Sequence, residues 1–155
     1  MTPDHNAQST AEVELLSFRL GEQEYSVDIM SVREIRSWTR ATPLPHAPAH
    51  IRGVINLRGT VLPVVDLSTR LGMPPVAGDA RNVIIVVQVS NQTAGLLVDA
   101  VSDILALPRN VLQPPPDLAA DAARSFVQAL TIIEGRMIRV LDLRAVLPFK
   151  KSEAA

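Results

Sequence analysis

Few residues in this 155-residue chain could carry out covalent or acid–base chemistry, and their spacing narrows the choice further. There is no cysteine, which removes a thiol nucleophile, a disulfide framework, a thiolate zinc site and an iron–sulfur cluster. A serine nucleophile of the G-x-S-x-G kind is absent, as are the G-x-x-x-x-G-K-[ST] and G-x-G-x-x-G loops that cradle phosphates. His46 and His50 stand four apart, a metal-ligand spacing on a helix, but Pro45 and Pro48 forbid a regular helix there and no carboxylate is near in sequence. No metal and no cofactor are expected. Asp66, Asp99 and Asp142 each end an apolar run; they could do acid–base work, but carboxylates at strand ends are commonly caps of helices or turns.

Two polar features remain. In Ile51-Arg-Gly-Val-Ile-Asn-Leu-Arg-Gly59, arginine, asparagine and two glycines interrupt an apolar run. Either Gly59 makes a tight turn with Arg58 solvated, or the glycines let backbone approach a partner to which Arg58 presents its guanidinium. Ser31 and Glu34 have capping-box spacing, so Glu34 either satisfies backbone donors or is an exposed recognition charge. A formal net charge of −1 argues against nucleic-acid or anionic-membrane attraction.

The elements that must position these residues are mostly strands. Val and Ile total 28, in short runs broken by Gly, Pro, Asn or Asp. Leu15–Leu20 and Tyr25–Ile29 read as a hairpin around Gly21–Glu24, and Val83–Val89 and Ala94–Val98 as another around Ser90–Thr93. Ile29, Val32 and Ile35 predict a short helix over Asp28–Arg36. The stretch from Gly59 to Asp66-Leu67 lines up with that from Gly135 to Asp142-Leu143, at offsets of about 71–76 residues, which predicts a duplication with each Asp capping a short helix. Asp117 is expected to cap an Ala-rich helix through Arg124.

The fold expected is therefore mainly β, with two small barrels of about 14–73 and 80–149 in one domain spanning 14–149, strand exchange between them allowed, and flexible termini at 1–13 and 150–155. The start is polar, and Val83–Val87, the longest strongly apolar run, is far short of the roughly 20 residues that span a bilayer, so a cytoplasmic protein is expected.

Glu24-Tyr-Ser-Val-Asp-Ile-Met-Ser-Val-Arg-Glu-Ile35, Arg52-Gly-Val-Ile-Asn-Leu-Arg-Gly59, Leu62-Pro-Val-Val-Asp-Leu67 and Gly95-Leu-Leu-Val-Asp-Ala-Val-Ser-Asp-Ile-Leu105 occur in the order and spacing of a known pattern. The chain resembles the CheW chemotaxis coupling proteins over roughly Glu14 to Leu147. The resemblance implies two five-stranded SH3-like barrels around a shared core, no catalytic activity and no cofactor. It also implies coupling of methyl-accepting chemoreceptors to the histidine kinase CheA, with recruitment to receptor arrays at the membrane and, as a further partner, other such domains in rings.

Carried over residue by residue, the receptor's helical hairpin tip meets Val32, Glu34, Ile35, Gly53, Asn56, Leu57, Arg58 and Val98, while the kinase regulatory domain meets Val83, Val101 and Ile104. Ala100 and Ala129 depart from the family's frequent glycines. Two rivals stand beside this reading: the same adaptor in a surface-motility or second-messenger pathway, and a small β enzyme or ligand-binding protein using the strand-end aspartates.

Overall fold

The computed structural model describes residues 11–116 and 124–147. Its strands are β1 (Glu12–Leu20), β2 (Gln23–Asp28), β3 (Val32–Ser37), β4 (Ile51–Leu57), β5 (Thr60–Asp66), β6 (Val83–Val89), β7 (Gln92–Val98), β8 (Ala100–Pro108), β9 (Val127–Ile133) and β10 (Arg136–Leu141). One-turn helices α1 (Leu67–Arg70) and α2 (Leu143–Val146) follow β5 and β10. Strand β1 starts two residues before the expected boundary, because Glu12 and Val13 pair with Pro108 and Leu107. The helix expected after Asp117 lies outside the described residues.

The strands form two five-stranded sheets, ordered β8-β1-β2-β10-β9 and β3-β6-β7-β5-β4. This is the expected pair of SH3-like subdomains, except that among the described residues neither ladder closes on itself. The sheets do not divide the chain near residues 73–80. Each half of the chain is a hairpin, a strand and a second hairpin, and the halves exchange their first hairpins. Hairpin β1-β2 joins β8-β10 by parallel pairing of β2 with β10, and β6-β7 joins β3-β5 by parallel pairing of β7 with β5.

The halves correspond in strand pairing as well as in order. Leu16 opposite Ile104 answers Ile85 opposite Ile35, a shift of 69 (16 to 85, 35 to 104). Leu57 opposite Thr60 answers Ile133 opposite Arg136, a shift of 76 (57 to 133, 60 to 136). One core serves both sheets: Leu16, Phe18 and Tyr25 from one pack with Ile85, Leu96 and Leu97 from the other, all nearly fully buried. Each side chain of that size contributes about 1.5–3 kcal/mol on burial. Between the sheets, Arg70 on α1 donates to the carbonyls of Val146 (2.8 Å) and Ala145 (3.1 Å) and lies 4.9 Å over the Phe126 ring.

Three local expectations change. The segment Asp28–Arg36 is a 3-10 turn, Ile29–Ser31, capped by Asp28 (Oδ1 accepts from Met30 N, 2.9 Å), and then strand β3. A β-bulge explains the misleading spacing. Val32 faces Val87 and Ile35 faces Ile85 across a one-residue slip, so residues three apart share a face as they would on a helix. The hairpin turns hold two residues rather than four, Gly21-Glu22 and Ser90-Asn91, because Leu20 pairs with Gln23 and Val89 with Gln92. Glu34, in a strand, caps no helix.

Candidate interaction site

Strand β3 and the β4–β5 turn are distant in sequence and meet through charge. Arg58 and Gly59 are the two central residues of that turn, with φ of 52° and 87°, the left-handed pair that matches the strands' twist. Asn56 Oδ1 accepts from Gly59 N (2.9 Å) and fixes the turn. Held there, the Arg58 guanidinium donates to the Glu34 carboxylate, which also accepts from Arg36 Nη1 (3.4 Å). Arg58, followed by Arg36, holds the Glu34 carboxyl below its ordinary value, and Glu34 in turn raises Arg58. The turn reading is thus realised, and Glu34 is half-exposed and paired with the turn's arginine.

Gly53 is required for a separate reason. Its φ is 144°, and a Cβ there would come 2.1 Å from the Thr42 carbonyl oxygen. That close approach lets Thr42 bridge to Val54 (N to O, 2.8 and 2.9 Å), which pins the segment after Trp38 to β4.

Of the residues expected to meet a receptor, Glu34, Ile35, Asn56 and Arg58 are brought together with exposed or half-exposed side chains, and Val32 is partly buried beside them. Ile35 is 47% exposed, unusual for a side chain of its size. Leu57 is buried, Gly53 is buried against Thr42, and Val98 is fully buried, so these three shape the surface from beneath. The kinase set is split. Val101 and Ile104 lie on β8, with Ile104 61% exposed, whereas Val83 lies on β6 of the other sheet, opposite Ser37 and Val98. The hairpin exchange separates them. Val101 and Ile104 are in fact the counterparts, 69 residues on, of Val32 and Ile35.

The three aspartates are caps. Asp66 accepts from Thr69 N (3.2 Å), Asp142 from Arg144 N (3.0 Å), and Asp99 from Gly21 N (2.6 Å). Asp66 is buried and also bound by Arg52 (Nε to Oδ2, 3.1 Å). That leaves the enzyme reading without free carboxylates at its proposed centre. Among the described residues no group of three His, Asp or Glu side chains could hold a metal ion. His50 is pushed toward its neutral form by burial and by Arg70.

Sequence patterning did not single out Arg36, Arg40 or Val61. Val61 is 61% exposed and lies opposite Asn56, an outward position that the alternation of β5 could have revealed. The bulge and the strap that bring the two arginines near it carry no such signal.

Comparisons with known proteins agree with this architecture. A model of the CheW-like domain matches residues 14–150. The chain is 57% identical over 142 residues to the chemotaxis protein CheW of Rhizobium meliloti, covering 92% of each, and 35% identical to that of Klebsiella aerogenes, covering 91% of this chain and 85% of the relative. The crystal structure of the scaffolding protein TtCheW from Thermoanaerobacter tengcongensis superimposes with a TM-score of 0.81 at 32% identity, covering 89% of both chains.

Proposed function

The chain belongs to the CheW-like domain family, whose members are non-catalytic chemotaxis coupling adaptors, and from that premise we propose that it joins chemoreceptors to the kinase CheA through two different edge strands. The receptor's hairpin tip docks on Val32, Ile35 and the β4–β5 turn, with Glu34 and Arg58 setting register, as an apolar helical face does in a groove. The kinase regulatory domain docks on β8 around Ile104. Val83, on β6 beside β3, is half-buried and packs against the core.

The observation that carries this reading is the Glu34–Arg58 pair between two half-exposed elements beside a large exposed isoleucine. A surface ion pair contributes little to stability, so its value lies in presenting a fixed shape to a partner. No helix among the described residues is long and apolar enough to cross a membrane. Contact with a membrane-bound array then comes through the receptor. Holding both partners on one adaptor makes the second encounter effectively intramolecular, and modest individual affinities suffice.

Arg58→Ala and Glu34→Ala are expected to weaken receptor pull-down while the melting temperature hardly moves, and Ile104→Asp to abolish kinase co-purification while receptor binding survives. Unchanged receptor binding in both of the first variants removes this surface from the receptor contact. Retention of the kinase by Ile104→Asp moves that contact away from β8.

A further inference from the structure

Beside the Glu34–Arg58 pair, a groove runs between the end of β3 and β4, lined by Arg36, Thr39, Arg40, Asn56 and Val61 among others. Its charge is one-sided: two guanidinium groups line it and no carboxylate does. Arg36 is partly engaged by Glu34, at 3.4 Å. The exposed Arg40 makes no ion pair or hydrogen bond among the described residues, although the Thr42–Val54 bridge two residues on fixes its backbone. Asn56 spends its Oδ1 on Gly59 N, which leaves the amide NH2 as its free end, another donor. The wall therefore holds donors on ordered backbone, of which Arg36 is partly spent on Glu34.

The other half of the molecule acts as an internal control. The Thr42–Val54 bridge has its counterpart in Gln113–Leu130, and Ile35 its counterpart in Ile104. Counting from those anchors, Leu105 stands in place of Arg36 and Val111 in place of Arg40. The counterpart positions in the other half are thus apolar, and the two arginines belong to this half alone.

We infer that this groove binds an acidic side chain, Glu or Asp, of the receptor hairpin that docks on the adjoining Val32–Arg58 surface. The inference rests on the receptor reading of that surface, with which the groove shares Asn56. A planar guanidinium takes a carboxylate in a two-point contact, and Arg40 has no partner among the described residues to give up. A protein carboxylate suits the site better than a free anion, because Val61 in the wall is 61% exposed and a small ion would leave it in water, whereas a helix bearing the acid covers it.

The test uses the full chain and the purified cytoplasmic hairpin fragment of a chemoreceptor from the same host, with binding measured by calorimetry. Arg40→Glu is expected to weaken binding about tenfold at about 0.05 M salt and much less at about 0.5 M, at unchanged melting temperature. Replacing one acidic residue of the hairpin by Lys should restore binding to Arg40→Glu while weakening it to the unsubstituted chain. If Arg40→Glu binds normally while Arg58→Ala does not, the acid-binding groove is wrong and the receptor surface stands. If neither variant loses affinity, the receptor surface fails as well. Loss confined to binding of the purified CheA regulatory domain also overturns the inference, by giving the groove to the kinase.

Discussion

The hairpins β4–β5 and β9–β10 share the same turn backbone and the same bulge, and differ by one residue in length, yet they are held in place differently. In the first, the bulge residue is Arg52, which reaches the buried Asp66 carboxylate and donates to the Val76 carbonyl, so one side chain ties the strand, the helix cap and the 72–82 crossing together. In the second, 76 residues on, the bulge residue is the exposed Gln128, and half-buried Asp142 only caps α2. Gly53, pressed against Thr42, is answered by Ala129 with ordinary backbone. At the turn itself Arg58 is answered by Glu134, with φ of 52° in both.

The ion pairs divide in the same way. Arg136, just past the second turn, clasps the buried Glu24 through two nitrogens, whereas Arg58 in the first turn reaches the half-exposed Glu34. One pair sits against the core and the other faces solvent. A duplicated frame has kept its geometry where backbone hydrogen bonds and packing demand it, and diverged where side chains choose between holding the fold and meeting a partner.

The comparison can be broken most sharply at the bulge. Gly53→Ala should destabilise by about 3 kcal/mol or more, since a backbone oxygen blocks the new methyl and the φ is unfavourable, while Ala129→Gly should cost about 1 kcal/mol or less; urea unfolding of both measures it. Equal losses would mean that the Thr42 strap yields.

Next in size are the caps. Asp66→Asn should cost about 3 kcal/mol because it leaves Arg52 without its buried partner, and Asp142→Asn about 1 kcal/mol or less, read from the same unfolding curves. The smallest effect is in pH. Arg136 holds the Glu24 carboxyl below its ordinary value, so the stability that this pair contributes is present above the unfolded carboxylate value near ~4.3 and is lost as pH falls through the lower folded value. The stability gap between the unsubstituted chain and Glu24→Gln should therefore shrink on acidification below about pH 4. Added salt should leave that gap nearly intact at neutral pH, while any gap for Glu34→Gln disappears.

Much was legible from residues alone. The Asp-Leu repeat located both helix caps, and Gly59 marked the β4–β5 turn. The spacing of Val32 and Ile35 misled, because a bulge in a strand and a turn of helix bring residues three apart to the same face. The resemblance put Arg58 and Glu34 on one surface, where they could pair; the structure makes that pair between residues 24 positions apart.

By itself, then, the sequence determined what is local or repeated: strands from β-branched runs, turns from glycine, caps from aspartate, the duplication, and membership of a family without catalytic residues. Only the tertiary structure decided which strands share a sheet, because the exchange of β1-β2 for β6-β7 rests on parallel pairings of residues 114 and 31 positions apart (24 to 138, 64 to 95) and on a common core. Those long-range pairings also decided that Val98 is core, that Val83 lies with β3, and that Arg36 and Arg40 line a groove with no carboxylate among its described lining residues.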